Sequence, residues 1–570
     1  MHKFTILSRT NSQKEADSKK TIDFQKFFIV LLIVFVSPFY SSITAQVKNP
    51  ILPGFYSDPS ICRVENDYYL VNSSFSFFPG VPIFHSIDLV HWKQIGHVLD
   101  RPSQLKLTNQ KVSAGIYAPA IRYWNGTYYM VTTLMGGSDG GNFFVTAKNP
   151  AGPWSEPTWL KEVEGIDPSF FFDDNGKAYL INNGPAPDNK TLYAGHRALW
   201  LQEFDLKTQK LIGDRKIIIN GGVDLTKKPI WIEGPHIFKN KGYYYLLAAE
   251  GGTKVEHSEV IFRSKDIWGP YEAASINPIL TQRNLPSDRK NPFTSAGHAD
   301  MVQTPKGHWV SVFLACEPYS EDFYNTGRQT FFNPVDWSSE WPVILKSGLP
   351  IPVKTTTPLK AAKGMVSFSD YSANWKDDFD TDELQLEWNF IRTPQQKWYA
   401  LKDNSLLIQA RPIRISEVGN PSFIGRRLQF ANSEFTTSLQ LEKGKEMEAG
   451  IVAFQNENFY YKLVIQQIEG KNFLILSSAS NEFEKVELKG YSPGHQVYLR
   501  MKALGAEFIC EYSMDNKSWT QFGKILDGKH LSTAISGGFI GAYFGLYAYA
   551  NTPAIATFDW ATHKKLESQK

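Results

Sequence analysis

"DPSFFFDDNGKAYLI", residues 167–181, places an acid before a proline, then an apolar run, an Asn-Gly turn and a second strand-like run with an aromatic. Asn-Gly between two such runs is hairpin chemistry, because both residues tolerate positive φ. The same order of features recurs in "DPSICRVENDYYLV" from Asp58, "APAIRYWNGTYYMV" from Ala118, "EGPHIFKNKGYYYLL" from Glu233 and, more loosely, "HADMVQTPKGHWVSV" from His298. The intervals are somewhat longer than the roughly 40–50 residues of a typical blade repeat. Most units continue into an outer strand closed by Trp or Tyr: "IFHSIDLVHW", "FFVTAKNPAGPW", "VIFRSKDIWGPY" and, in the fifth, "FFNPVDW". The third, "LWLQEFDLKTQ", lacks the aromatic. Strands in five like units, without helical periodicity between them, predict an all-β chain that begins with a five-bladed β-propeller.

Equivalent positions of a propeller circle one axis. The repeat therefore predicts that the first residue of each innermost strand faces a common cavity: Asp58, Ala118, Asp167, Glu233 and His298. A single Asp-Pro is an ordinary turn device. Three acids at one repeat position are different, because crowding like charges is costly unless a site uses them.

Composition narrows the classes. The chain of 570 residues is long enough for two or three domains. Charged residues make up 21%, the net charge is +3, and Lys and Arg are scattered, which gives no electrostatic case for nucleic acid. Aromatics reach 14%, which suits both an all-β core and stacking on sugar rings. Three widely spaced cysteines, Cys62, Cys316 and Cys510, show no metal or redox spacing and read as buried thiols. No P-loop, dinucleotide fingerprint or nucleophile elbow is present.

Residues 27–36, "FFIVLLIVFV", follow Lys26 and run into "SPFYSSITAQ". A basic flank, a short apolar run and a small-residue exit predict a secretory leader over residues 1–45, with cleavage near Ala45–Gln46 and an exported product. The run is short for a transmembrane helix. The polar residues 1–25 are long for a leader and leave a retained anchor or an upstream start as alternatives.

With "GFYSDPSI", "SFFPGVPIFHSIDLVHW", "GIYAPAIRY", "GIDPSFFFDDNGKAYL", "WIEGPHIF", "GHADMVQTPKGHW" and "GRQTFFNPVDW" in this order, the chain resembles glycoside hydrolase family 43. This is the family of five-bladed β-xylosidases and α-L-arabinofuranosidases. From "WKDDFDTDELQLEWNFIR" to "GGFIGAYFGLYAYANTPAIATFDW" it resembles the jelly-roll or concanavalin-like β-sandwich that follows the propeller in one branch. The implied organisation is a propeller over residues 46–350, a connection at 351–373 and a sandwich over 374–570. Two departures stand at pocket positions: Tyr117 replaces a frequent tryptophan, and Ser76-Phe77 replaces an acid-Trp pair.

The resemblance implies an exo-acting, inverting glycosidase that releases xylose or arabinofuranose from plant hemicellulose or its oligosaccharides. Asp58 would be the general base, Glu233 the general acid, and Asp167 an anion that raises the pKa of Glu233. Arg328 carries over as a substrate contact that orients the base, and Phe78, Tyr117 and Trp231 as stacking surfaces. Phe539, in "GGFIGAYFG", would close the propeller mouth from the sandwich. His298 is implied deep in the channel, against water or a structural cation such as calcium, with a purely structural histidine as the alternative. The chemistry needs no cofactor. Two other classes compete. An invertase-like retaining hydrolase would open on Asn-Asp-Pro-Asn and carry Arg-Asp-Pro and Glu-Cys, where this chain has "SDPS", "IDPS" and "IEGP". A non-catalytic carbohydrate-binding propeller would be expected to have lost one of the acids.

Overall fold

The computed structural model describes residues 45–137 and 140–567; the expected leader falls outside them except for Ala45. Five antiparallel sheets follow one another along the chain. The first runs Ser60–Val64, Asp67–Val71, Gly80–Ser86 and Lys93–Leu99. The second runs Gly115–Trp124, Thr127–Met135, Gly141–Ala147 and Thr158–Leu160, and the third Ile166–Phe172, Ala178–Gly184, Ala198–Asp205 and Lys210–Asn220. The fourth begins with Glu233–Asn240, Tyr243–Glu250 and Ser258–Ser264, while the fifth has Thr294–Gln303, Trp309–Cys316 and Gln329–Pro334. The predicted turns lie between inner strands. Asn125 and Gly126, and again Lys241 and Gly242, both take positive φ, as a tight hairpin requires.

The N-terminal segment closes the ring. Leu52 bridges to Thr330 on the last strand of the fifth sheet, and Ala45–Lys48 pairs with Lys354–Thr357. The Asn49 side chain imitates a backbone partner, donating to the Phe332 carbonyl and accepting from its N–H, both at 2.9 Å.

The register of the inner strands corrects the repeat as read from the sequence. In four blades the inner strand carries one extra residue against its neighbour. Tyr117 pairs with Thr133 but Ala120 with Val131; Ile166 with Asn183 but Ser169 with Ile181; Glu233 with Ala249 but His236 with Leu247; Gly297 with Leu314 but Asp300 with Val312. Such a bulge re-aims a side chain at a site. Asp58, Asp167, Gly234 and His298 share the bulge conformation, with φ of 52°, 54°, 57° and 52°. The residue equivalent to Asp58 and Asp167 is thus Gly234, and Glu233 stands one position earlier, level with Tyr117, Ile166 and Gly297. The proline after the bulge marks the true repeat, and reading from the first acid shifted the fourth unit by one. Gly234 is required twice over: its φ is left-handed, and a Cβ there would lie 2.9 Å from His298 Nε2.

One residue from each blade then fills the axis. Asp300 accepts from Ser60 Oγ at 2.7 Å and from Arg122 Nη1 at 2.7 Å. Arg122 Nη2 lies 2.9 Å from His236 Nδ1, which is 2.9 Å from Ser169 Oγ. Burial, reinforced by Arg122, lowers the His236 pKa to about 3, so this imidazole is neutral and can accept. Replacing Arg122 by Met would strand the Asp300 carboxylate, a loss of about 3–5 kcal/mol for a broken buried pair. A depressed unfolding midpoint for Arg122→Met would check this, and an unchanged one would remove the ring from the stability argument.

The second part is a sandwich. One sheet is ordered Tyr399–Lys402, Ser405–Ala410, Ala554–Lys565, Asn432–Leu441, Val497–Leu504, Glu507–Ser513 and Thr520–Gln521. The other runs Glu482–Glu487, Lys471–Ser478, Phe459–Ile468, Glu448–Asn456, Tyr543–Tyr549, Ser422–Arg427 and Asn389–Ile391, and it ends on Phe77–Phe78 from the propeller. Phe390 pairs with Phe78 and Ile391 with Phe77, so one sheet belongs to both parts. The two share core as well: Phe55, Phe75, Phe77 and Val112 pack with Ile391, Phe423, Ile540 and Tyr543. Arg427 of the sandwich donates through Nε to the Phe55 carbonyl. The connection at 351–373 is pinned too. Ala362 N–H donates to Asp88 at 2.8 Å, and Phe368, opening a short helix to Ala373, meets Tyr56 and Phe84 edge-on. Cys62, Cys316 and Cys510 are free and buried.

Candidate active site

A cavity of about 670 Å³ opens at the end of the axis where the bulges lie. It is lined by Asp58, Asp167, Glu233, His298 and Arg328, all buried, and by Phe75, Tyr117, Trp231 and Phe539. The three acids reach it by two backbone routes. Asp58 and Asp167 are turned inward by positive φ, while Glu233 enters from the preceding position on a longer side chain.

Asp58 is built to stay ionised. Ser73 Oγ and Ser57 Oγ donate to its Oδ2 at 2.6 and 2.9 Å, and Arg328 Nη1 lies 3.1 Å from Oδ1. Burial opposes ionisation, but Arg328, His298 and the two hydroxyls outweigh it and hold the pKa below the ordinary carboxylate value. Oδ1 accepts no hydrogen bond of good geometry, so a lone pair is free for a water. Arg328 Nε is likewise a buried donor without a partner. An unsatisfied donor beside an unsatisfied acceptor is costly in a finished core and sensible in a site awaiting substrate.

Glu233 is biased the other way. Burial and then the charge of Asp167 push its pKa well up, against the pull of Arg328. Burial also raises Asp167, to about 6, although it accepts from Gly234 N–H at 3.1 Å. The surroundings thus favour the ionised form of Asp58 and the protonated form of Glu233, the division that acid–base chemistry requires. Removing the Asp167 charge should lower the Glu233 pKa. The alkaline limb of the pH–rate profile should therefore move to lower pH in Asp167→Asn, while the acid limb, set by Asp58, moves far less. An alkaline limb that stays in place would detach Asp167 from this role.

The remaining expected residues divide. Tyr117, Trp231 and Phe539 line the cavity, and Phe539 arrives from the sandwich. Its ring stands 6.1 Å from Tyr117, 6.3 Å from Phe75 and 5.7 Å from the Arg328 guanidinium. Gly327 and Gly541 allow this approach, since a Cβ on Gly327 would lie 2.7 Å from the backbone of Gly541, and one on Gly541 2.7 Å from that of Thr326. The stacking surface expected at Phe78 is not there. Phe78 is buried against the sandwich and paired with Phe390, Phe77 stacks on Tyr543 at 4.0 Å, and Phe75 supplies the ring instead. The sandwich strand turned this run into a domain seam. Arg197, Met135 and Ile230 also line the cavity and carry no repeat signal.

His298 Nδ1 lies 3.9 Å from Asp58 Oδ1. Among the described residues no group of three or more His, Cys, Asp or Glu could hold a metal. His298 acts here on Asp58 and as the filler above Gly234.

Residues 47–342 match the model for glycosyl hydrolases family 43, and residues 376–564 match that for the β-xylosidase C-terminal concanavalin A-like domain. The chain belongs to glycosyl hydrolase family 43. It is a glycosidase by that membership. The xylosidase/arabinosidase of Butyrivibrio fibrisolvens is 41% identical over 88% of this chain and 96% of its own. The non-reducing end alpha-L-arabinofuranosidase BoGH43B of Bacteroides ovatus is 36% identical over 94% and 99%. Among solved structures, the Bacteroides ovatus xyloglucan GH43B superposes with a TM-score of 0.81 at 35% identity, covering 92% of this chain and 100% of that one. The xylan beta-1,4-xylosidase of Bacillus halodurans gives 0.80 at 31%, covering 91% and 100%. Both similarities extend through the sandwich.

Proposed function

We propose that the protein is an exo-acting, inverting glycosidase that releases xylose, arabinofuranose or both from hemicellulose or its oligosaccharides. One observation carries the reading: a buried cavity brings together Asp58, held by Ser57, Ser73 and Arg328 with Oδ1 left without a hydrogen bond, and Glu233, whose pKa burial and Asp167 push well up. Arg328 would hold a hydroxyl of the terminal sugar while Asp58 takes a proton from water. Glu233 would protonate the departing oxygen. Phe75, Tyr117 and Phe539 supply apolar faces for the sugar ring. The relatives' names support xylosyl and arabinofuranosyl substrates, and the two sugars present nearly the same hydroxyl pattern to a pocket.

Assays on 4-nitrophenyl β-D-xylopyranoside and α-L-arabinofuranoside test the substrate, and inactivity on both would sink it. Proton NMR of the first product formed should show the anomer opposite to the substrate's. Retention seen first would mean that a carboxylate attacks carbon directly. The leader motif supports export of the protein. Fractionation of cells producing the full chain would test that reading.

A further inference from the structure

The cavity is asymmetric. Asp58, Arg328, Phe75, Tyr117 and Phe539 make one wall, where Arg328 contacts both Asp58 and the Phe539 ring. On the side of Glu233 stand Trp231, two residues before it, and Arg197. Arg197 Nε and Nη2 both donate to Asn183 Oδ1, at 3.1 and 2.9 Å, and its Cζ lies 4.9 Å from the centre of the Trp231 ring. Asn183 is fully buried and donates through Nδ2 to the carbonyl of Ile232, the residue joining Trp231 to Glu233. Arg197, Trp231 and Glu233 are thus fixed to one another through a single amide.

Glu233 and Asp167 act on the Arg197 charge only at longer range, without an ion pair. Its hydrogen-bond partner is a neutral amide, no carboxylate lies within ion-pair distance among the described residues, and Nη1 is left without an acceptor in the cavity wall. A half-buried guanidinium in that state favours an incoming acceptor, and its fork can hold Asn183 and a ligand at once. Trp231 remains 37% exposed beside it. The group nearest Glu233 during reaction must be the leaving group, because its oxygen takes the proton.

We infer that Arg197 and Trp231 form the subsite for the leaving group, and that this group is a sugar whose ring hydroxyls accept from Arg197 Nη1. The inference rests on the glycosidase reading and on Glu233 as its proton donor. It makes Arg197 a determinant of which bonds are cut rather than of which sugar is released. A leaving group without hydroxyls, even one that needs protonation just as much, gains nothing from it.

The test compares xylobiose with methyl β-D-xylopyranoside, both poor leaving groups that depend on Glu233. If arabinofuranose is the sugar released, arabinofuranosyl-xylobiose and methyl α-L-arabinofuranoside replace them. In Arg197→Met the ratio of kcat/KM between sugar-leaving and methyl-leaving substrates should fall by about tenfold or more, the scale of one lost charged hydrogen bond. Arg197→Lys keeps the charge but cannot span Asn183 and a sugar together, so it should recover only part of the ratio. Loss by the same factor on both substrates would overturn the inference, since a structural role or an effect on the Glu233 pKa acts on both alike. Wild-type protein inactive on every glycoside would overturn the parent reading, and this inference with it.

Discussion

Asp58→Asn is expected to leave the fold intact and remove nearly all turnover. Asparagine can still accept from Ser57 and Ser73, so the two short hydrogen bonds at 2.9 and 2.6 Å need not break. Arg328 loses its anion, but the cavity also loses one of three crowded carboxyls, which offsets part of that cost. The lone pair that would take a proton from water is lost. Removing a positioned base costs about 10²–10⁴-fold, and more where no substitute exists. The change should act on every substrate, because water must be activated whatever departs. Glu233→Ala should behave differently. A 4-nitrophenolate leaves with little protonation, so activity on aryl glycosides should survive far better than activity on xylobiose. Full activity of Asp58→Asn on all glycosides would overturn the assignment of the site. Equal losses for Glu233→Ala on both substrate types would remove Glu233 as donor.

Deleting residues 374–570 should yield insoluble or inactive propeller. The cut would uncover Phe55, Phe75, Phe77, Phe78 and Val112, which pack against the sandwich. Each large apolar side chain returned to water forfeits about 1.5–3 kcal/mol. It would also leave Phe77–Phe78 as an unpaired edge, a template for aggregation. The site would lose Phe539 and the loop seated by Gly327 and Gly541. A gentler probe, Phe539→Ala, keeps the fold and should raise KM for short substrates through loss of a ring wall. Soluble truncated propeller with unchanged kinetics on xylobiose would contradict this and leave the sandwich an independent binding module.

How much of this was legible in the chain depends on whether the information was local. The blades were, because each hairpin carries its own turn residues and each second strand its own aromatic residues. Asp58 and Asp167 were legible for the same reason, as each precedes a proline at the start of a unit. Glu233 was found but misplaced by one, since a sequence shows that an acid is near a repeat position and not that Gly234 occupies the bulge. Phe78 and Phe75 could not be told apart in "SSFSFFPG". The choice between them is made by Phe390 and Ile391, some three hundred residues later, through two strand pairs. The axial ring of Ser60, Arg122, Ser169, His236 and Asp300 was hidden because its members are of four different residue types, and only closure of the propeller brings them together. Arg197 lies outside the repeat and points nowhere identifiable until Asn183 fixes it.

The sheet completed by Phe77–Phe78 bears on how such enzymes can be recombined. A catalytic part from one relative grafted onto the sandwich of another would inherit a foreign edge strand and mismatched glycines at the seam, however well each part folded in its parent. A workable chimera would carry the donor's equivalents of residues 75–79, 325–328, 389–392 and 537–542 as one indivisible set, although they come from four distant places in the chain. The natural unit of exchange is therefore the whole chain from Ala45 onward, and specificity would be altered more safely by single substitutions on the Trp231 wall than by swapping domains.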